Sequence, residues 1–261
     1  MKTNFGYRGC FLASLILSLL IPVLAIAQPT GEEVARQVFH RDVGKDLQMA
    51  GTMELISGNG HSRIREYLTL RKDTSSERKV LISFTAPADI AGTGFLILEN
   101  TEKGDTQQHL YLPALKRTRR IVASQKGRSF VNSDFTYEDM QRQPIDDWTY
   151  QLGADTEYLG ESCFSLVSRP KQEDKTQYSK IVTWVDKKHF MPLRSEFWDK
   201  KGRHTKTYRV EQFEIIDGIA TETNVVMEDL SAQHSTRLQN HKISYNSNLP
   251  DHLFTIRALE R

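Results

Sequence analysis

The sequence predicts a mainly β protein of the α+β class, in which one large antiparallel sheet curls over a few short helices. From Met49 onward, about a dozen short runs alternate apolar and polar residues with a period of two. Turn formers such as Lys201-Gly202 and Asp217-Gly218 separate these runs. The connections are too short for the crossover helices that parallel strands need, so an unclosed barrel fits better than a doubly wound sheet.

The chain begins with the pattern of an export signal. Lys2 and Arg8 precede an apolar run over residues 11–26, which ends in Ala-Ile-Ala. This pattern is typical of a signal peptide that spans residues 1–27 and is cleaved from the mature protein. The run is too short and too polar at its exit for a membrane span. We therefore expect residues 28–261 to form one exported domain.

The first predicted element of that domain is an amphipathic helix over residues 30–41. Thr30 and Glu33 have the spacing of a capping box at its start. Apolar residues then recur at helical spacing, and they form a stripe that needs a surface to cover. We expect this helix to pack on the sheet, or to cover a cavity in it.

The remaining elements are strands and short helices. Strands are predicted at residues 64–70, 80–84, 94–99, 107–112, 118–122, 147–152, 155–159, 161–168, 178–186, 192–199, 204–216, 219–229 and 235–246. Pro and Gly at the two ends of residues 87–92 predict a single helical turn. Short helices are expected near 134–142 and 251–255. Asp217-Gly218, between two long alternating runs, predicts a tight hairpin.

Charge argues against a nucleic-acid partner. Lys2 and Arg8 are the two basic residues of the predicted signal peptide, so the mature chain has 33 Lys plus Arg against 33 Asp plus Glu. Acidic residues at 134, 138 and 139 follow the densest basic cluster, and we expect the two groups to pair locally. The cluster comprises Lys116, Arg117, Arg119, Arg120, Lys126 and Arg128.

The sequence contains no motif that predicts catalysis, a cofactor or a metal site. Its eight histidines and two cysteines form no His-Glu-x-x-His or Cys-x-x-Cys metal-binding pattern. The Gly-x-Ser-x-Gly pattern of serine hydrolases is also absent. Cys163 lies among apolar residues and is predicted to be a small buried hydrophobe, although a nucleophile is the alternative. We therefore expect a protein that is not an enzyme. A hydrolase with dispersed catalytic residues is the rival interpretation.

Three segments carry a resemblance to a known family. They are PADIAGTGFL at residues 87–96, LYLPALKRTRRI at 110–121 and SDFTYED at 133–139. In these segments, and in length and order of elements, the chain resembles the LolA-like outer membrane lipoprotein-sorting proteins of the bacterial periplasm. The resemblance implies an open half-barrel whose concave apolar face is covered by short helices and holds acyl chains.

The resemblance implies a periplasmic carrier that passes lipid or lipoprotein acyl chains between membrane-associated partners, toward the outer membrane. An inner-membrane exporter and transient contact with the membrane surface are the expected partners, and no cofactor is expected. The alternative is an interaction module with a filled core that docks on an envelope export complex.

Two sets of residues are candidates for these roles. Alternation nominates nine apolar side chains as cavity lining or, equally, as plain core: Leu68, Leu70, Ile82, Phe84, Phe95, Ile97, Phe197, Val225 and Met227. Four basic residues are candidates for docking on a membrane or partner, the alternative for each being an ordinary solvated charged loop: Lys116, Arg117, Arg119 and Arg120.

Overall fold

The computed structural model describes residues 1–2, 28–100 and 104–260. The predicted signal peptide, apart from its first two residues, lies outside these ranges. The described part of the chain contains two α-helices, α1 (Gly31–His40) and α2 (Ile256–Leu259). Neither is long and apolar enough to cross a bilayer. Short 3-10 helices occur at Pro113–Leu115, Ala123–Gln125, Ile145–Asp147, Glu173–Lys175 and Asp251–Leu253.

Most of the described chain is β-strand. The strands are β1 (Asp46–Ile56), β2 (Ser62–Asp73), β3 (Glu77–Ala86), β4 (Gly94–Asn100), β5 (Asp105–Leu112), β6 (Arg117–Arg120), β7 (Trp148–Leu152), β8 (Thr156–Tyr158), β9 (Glu161–Pro170), β10 (Tyr178–Asp186), β11 (Pro192–Asp199), β12 (His204–Ile216), β13 (Ile219–Asp229) and β14 (His234–Tyr245).

All of these strands join one antiparallel sheet. Its order is β6-β5-β4-β3-β2-β1-β14-β13-β12-β11-β10-β9-β7, and β8 pairs with β9. The sheet is unclosed, because β6 and β7 at its two ends do not pair with each other. Strands that follow one another in the chain are mostly neighbours, which short hairpins allow. The predicted fold class is confirmed.

Local sequence signals position several elements as predicted. Thr30 and Glu33 form both hydrogen bonds of the capping box at the start of α1. Asp217 and Gly218 both have positive φ, 52° and 82°, as a two-residue type I′ hairpin between β12 and β13 requires. In the predicted turn over residues 87–92, the amides of residues 90 and 91 donate to the Pro87 carbonyl.

The predicted helix near residues 134–142 is wrong. This stretch forms turns, because its polar side chains bond the backbone locally and compete with helical hydrogen bonds. Asp139 Oδ2 accepts from the Thr136 amide at 2.7 Å and from its hydroxyl at 2.8 Å. Near the C-terminus the predicted helix is a 3-10 turn followed by α2.

The two helices cover opposite faces of the sheet. Val34 and Ala35 of α1 pack with Leu166 and Val185 on the face that lines a cavity, which we call the concave face. Leu259 of α2 packs instead in a cluster on the other, convex face. That second cluster comprises Leu81, Leu96, Leu249, Phe254 and Leu259. The expectation that the short helices all cover the concave face therefore holds for α1 and fails for α2.

Candidate functional site

The segment that joins β6 to β7 crosses the concave face from one edge of the sheet to the other. We call this segment, residues 123–144, the strap. Phe130 of the strap is fully buried, and its ring centroid lies 4.9 Å from that of Phe95. Tyr137 lies 5.6 Å from Phe95 and 6.0 Å from Phe130. These rings join the strap to the concave face through one apolar cluster.

Asp134 fastens the strap to β14. Its carboxylate accepts a hydrogen bond from the Thr236 hydroxyl at 2.6 Å, and its amide donates to the same hydroxyl oxygen at 2.9 Å. His234 Nδ1 lies 2.8 Å from the same carboxylate. The carboxylate is buried, so these bonds replace the water that it loses on folding.

Asp139 fastens the strap to β10 and β12. It forms a buried ion pair with Lys206, with Nζ and Oδ2 2.9 Å apart, and it accepts a hydrogen bond from the Tyr178 hydroxyl at 2.7 Å. Burial and the neighbouring Asp139 charge raise the pKa of Tyr178 well above its usual value, so the phenol stays protonated and remains a donor.

Glu138 fastens the strap to the segment that leads into β10. The Thr176 hydroxyl and the Gln177 amide both donate to its carboxylate, the amide at 3.1 Å. Burial nevertheless raises the pKa of Glu138 above its usual value. The strap's acidic residues thus bond groups of the sheet and its connections. Their predicted pairing with the basic residues at 116–120 is wrong, because the strap leads the acids away from β6. Lys126 of the strap does lie close enough to Glu138 for its charge to act on that carboxylate.

A cavity of ≈1090 Å³ lies between the strap, α1 and the concave face of the sheet. Side chains from both halves of the sheet line it, together with residues of α1 and the strap. Its apolar lining includes Val38, Phe39, Met49, Met53, Ile82, Phe135, Met140, Trp148, Leu166, Ile181, Phe197, Val225, Met227 and Leu238. A volume of this size is slightly above the range of about 300–1,000 Å³ that is typical of small-molecule sites.

One end of this cavity is charged. Arg71, Arg78 and Arg142 line this end, and the carboxylates of Asp73 and Glu99 lie beside them outside the lining; we call these five residues the polar end. Arg71 donates to Asp73 at 2.6 Å. Arg142 donates to Glu99 from its side chain at 2.9 Å and from its amide at 2.8 Å. Both carboxylates therefore already have an arginine partner, and the third guanidinium is in excess.

Seven of the nine nominated apolar residues lie on the concave face. Four line the cavity: Ile82, Phe197, Val225 and Met227. Three are packed in the aromatic cluster under the strap: Phe84, Phe95 and Ile97. Contact of any of them with a lipid stays a prediction.

Leu68 and Leu70 do not line the cavity, so their nomination is corrected. Tyr67 pairs directly with Phe84 across β2 and β3, which places Tyr67 on the concave face and Leu68 on the other. Leu68 is 45% exposed, whereas Leu70 packs under the C-terminal segment. Alternation predicts the wrong face of β2 because apolar residues occupy parts of both faces, and Tyr67, despite its polar hydroxyl, packs on the concave one.

The four candidate docking residues lie together at a free edge of the sheet. Lys116, Arg117, Arg119 and Arg120 are all exposed, and β6 has a neighbour on one side only. No carboxylate in the described ranges lies within 4.0 Å of their charged nitrogens. Glu260 reaches this strand but accepts a bond from the Thr118 hydroxyl, at 2.6 Å. We call these four residues the basic edge.

Exposed apolar side chains flank the basic edge. Leu115, just before it, is 67% exposed, and Val122, just after it, is 50% exposed. Large apolar residues beside uncompensated cations are typical of surfaces that contact lipid headgroups. The sequence predicted the basic residues but not their exposed apolar neighbours.

Metal binding and nucleophilic catalysis have little support in the described part of the structure. Within residues 1–2, 28–100 and 104–260, no group of three or more His, Cys, Asp or Glu side chains is placed to hold a metal ion. Cys163 is fully buried, and burial raises the pKa of its thiol to about 11. A thiol with so high a pKa is a weak nucleophile at neutral pH.

Comparisons with known proteins extend this description. A family model described as an uncharacterized protein matches residues 76–261. A solved DUF1329 family protein from Desulfovibrio piger is 32% identical, with a TM-score of 0.82 over 88% of this chain and 97% of that one. A protein from Vibrio parahaemolyticus, named for an outer membrane lipoprotein-sorting domain, is 30% identical with the same TM-score, over 88% and 98%.

The chain belongs to the LolA-like outer membrane lipoprotein-sorting protein family. The resemblance found in the three sequence segments is thereby confirmed. A LolA superfamily protein from Nitrosomonas europaea, 22% identical, has a TM-score of 0.67 over 88% of this chain and all of that one, so it shares the fold. No curated protein sequence matches the chain.

Sequence reasoning missed two parts of the site in this LolA-like chain. The residues of the polar end come from β2, β3, β4 and the strap, and no sequence motif identifies such a set. Part of the set was predictable, because Arg71 and Asp73 alternate in step with Tyr67 along β2 and so lie on the same face of the sheet. The anchors of the strap were missed because Asp134 and Thr236 are 102 positions apart.

Proposed function

We propose that this protein is a periplasmic carrier that binds acyl chains of lipids or lipoproteins in its cavity and hands them between membrane-associated partners. The observation that carries the proposal is the ≈1090 Å³ cavity with an extensive apolar lining. The predicted signal peptide and the family membership support export to the periplasm. Binding and transfer of this kind involve no covalent reaction.

The energetics of the cavity favour an acyl chain. Burying a chain of roughly sixteen carbons contributes on the order of 12 kcal/mol before the costs of ordering the chain and moving its cover. Phe39, Met140 and Phe197 line the cavity, are only partly buried, and supply apolar surface for such a chain. The strap and α1 shield this surface from water. The cavity also counts against the alternative of a docking module with a filled core.

The basic edge supports a place for the carrier to meet its partners. We infer that Lys116, Arg117, Arg119 and Arg120 contact the anionic headgroups of a membrane, while Leu115 and Val122 approach the acyl boundary. Each basic residue near an anionic membrane surface contributes about 1 kcal/mol. An inner-membrane exporter is the partner from which a carrier of this kind would receive its cargo.

Native mass spectrometry with lipid extraction tests the carrier function directly. The mature protein should be purified from its own periplasm without detergent. Phospholipid or acylated peptide at a near-stoichiometric ratio is the expected result, and its mass identifies the cargo. A lipid-free protein that also takes up no added phospholipid would overturn the proposal and favour the docking module.

A further inference from the structure

The five residues of the polar end, all within the described ranges, carry together an excess of one positive charge. Three guanidinium groups, Arg71, Arg78 and Arg142, face two carboxylates, Asp73 and Glu99. Both carboxylates are committed to Arg71 and Arg142 by hydrogen bonds of 2.6 and 2.9 Å. An uncompensated charge in a partly buried site is unfavourable unless a ligand or solvent satisfies it.

Arg78 is the guanidinium without a full partner. Its Nε atom is buried and has no hydrogen-bond acceptor among the described residues. Among the described residues, the carboxylate oxygen nearest to Nε is Oδ1 of Asp73 at 3.9 Å, beyond hydrogen-bond distance. The side chain lines the cavity and is partly buried. Burial lowers the pKa of Arg78 to about 10, which leaves it charged at neutral pH.

A second unsatisfied donor lies on the strap beside Arg142. Gln143 lines the same cavity, and its Nε2 atom is buried without a partner in the described part of the chain. Leaving a buried donor unsatisfied typically costs about 1–3 kcal/mol. Arg78 and Gln143 thus carry two buried, unsatisfied donors among the residues that line the cavity, and Gln141 Oε1 is an unsatisfied acceptor on the same stretch of the strap.

We propose that the polar end binds one phosphate group, the headgroup phosphodiester of a phospholipid whose acyl chains occupy the cavity. A phosphodiester carries a single negative charge, which matches the excess of one positive charge. Its oxygens accept from the planar Arg78 guanidinium, for which phosphate is a geometrically suited partner, and from Gln143. This inference rests on the proposed carrier function and deepens it, because it names the class of cargo.

Binding of matched lipids to the wild-type mature chain provides the first test. Dioleoyl phosphatidylglycerol and dioleoylglycerol have the same acyl chains, but only the first has a phosphate. We expect the phosphatidylglycerol to bind at least about tenfold more tightly, since a hydrogen bond to a charged group contributes roughly 1.5–3 kcal/mol. Equal dissociation constants would overturn the phosphate site and leave the carrier function standing.

A substitution locates the site. Arg78→Gln should weaken phosphatidylglycerol binding about tenfold and leave dioleoylglycerol binding unchanged. The matched control is Arg257→Gln, which removes an exposed arginine of α2 on the convex face and should change neither constant. Arg78→Lys keeps the positive charge but lacks the planar pair of guanidinium donors. It provides a folded variant if Arg78→Gln does not fold, and it should lose part of the preference for phosphatidylglycerol over dioleoylglycerol. An unchanged preference in both Arg78 variants would overturn the assignment.

Inorganic phosphate separates the site from the carrier function. If phosphate binds the wild type but not Arg78→Gln, and neither lipid binds, the anion site stands and the carrier proposal fails. If neither phosphate nor either lipid binds, both proposals fail. Phosphate binding that is equally strong in wild type and Arg78→Gln places the anion elsewhere and overturns the site.

Discussion

Asp139 makes the densest set of polar contacts in the strap. Its carboxylate meets the Lys206 ammonium, the Tyr178 hydroxyl, and both the amide and the hydroxyl of Thr136. Asp139 and Lys206 are both largely excluded from water. Removing either partner would leave the remaining charge buried, where water cannot solvate it in place of the missing partner.

Replacement of this carboxylate should destabilise the protein strongly. We expect Asp139→Ala to lower the free energy of unfolding by about 3–5 kcal/mol, because it leaves the Lys206 charge buried and unpaired. Urea unfolding of the mature chain measures the change. The control is Asp155→Ala, which breaks the more exposed pair with Lys187, and a loss within about 1 kcal/mol is expected. Equal losses in the two variants would contradict the role assigned to Asp139.

Glu138 should make stability depend on pH. Burial raises its pKa in the folded protein above the usual 4.5, so its contribution to stability is fullest below that value and declines as pH rises through the folded pKa. In the Glu138→Gln variant the side chain at this position is an amide, which does not ionise. We expect its free energy of unfolding to rise relative to wild type as pH increases above the usual carboxyl pKa of 4.5 and through the raised pKa of Glu138.

The pH dependence is measured by urea unfolding at several pH values. Glu157→Gln, at an exposed position on β8, is the matched control and should follow the wild type throughout. A difference between Glu138→Gln and wild type that stays constant with pH would show that Glu138 does not titrate with a raised pKa.

Strand β2 presents adjacent residues to opposite surfaces, and this provides a test of the cavity. Thr69 is buried and lines the cavity, whereas Leu68 is on the convex face. Thr69→Trp should reduce lipid uptake, because the ring occupies space that an acyl chain needs. Leu68→Trp adds a ring outside the cavity, so uptake should equal that of wild type.

Lipid uptake is measured as bound lipid per folded protein after extraction. Overpacking by Thr69→Trp costs about 1–3 kcal/mol, so circular dichroism should first establish that both variants are folded. Equal reduction of uptake in the two variants would mean that the acyl chain does not enter the cavity beside β2.

The basic edge on β6 should control membrane attachment. We expect the triple substitution of Arg117, Arg119 and Arg120 by Gln to weaken binding to anionic vesicles on the order of a hundredfold, from about 1 kcal/mol per residue. Stability should change little, because the three side chains are exposed and have no carboxylate partner within 4.0 Å in the described ranges. Vesicle co-sedimentation at low ionic strength measures the binding.

A second triple variant tests whether vesicle binding depends on the position of the removed charges or only on their number. Replacing Lys45, Lys171 and Lys188 by Gln removes the same number of exposed positive charges from other parts of the surface. This variant should bind anionic vesicles as the wild type does. The docking surface is not the basic edge if both triple variants lose binding equally, or if neither does.

The protein as a whole should be stabilised by its cargo. A ligand that binds only the folded state at a hundredfold excess over its Kd adds about 2.7 kcal/mol. For a chain of this size that corresponds to a rise in Tm of roughly 5–10 °C. Differential scanning calorimetry with and without phosphatidylglycerol measures the shift. Thr69→Trp should show a smaller shift, and an absent shift in wild type would contradict uptake into the cavity.

Local signals in the sequence determined the fold class, the start of α1, the turn at residues 87–92 and the hairpin at Asp217-Gly218. Each depends on residues close together in the chain, whose backbone preferences act before any long-range contact forms. The three motif segments likewise identified the family. Alternation also placed Ile82 and Met227 on the face that lines the cavity.

Only the tertiary structure decided which face of β2 is concave, what the strap's acids bind and where the excess charge lies. Leu68 and Tyr67 both suit a buried surface, and the register with β3 alone assigns their faces. Asp134 is hydrogen-bonded to Thr236, which is 102 positions away in the chain. Arg78 of β3 and residues of the strap line the same cavity, although no local sequence pattern relates them. Packing of distant segments fixes such contacts, because burial and charge act through space, whatever the separation along the chain.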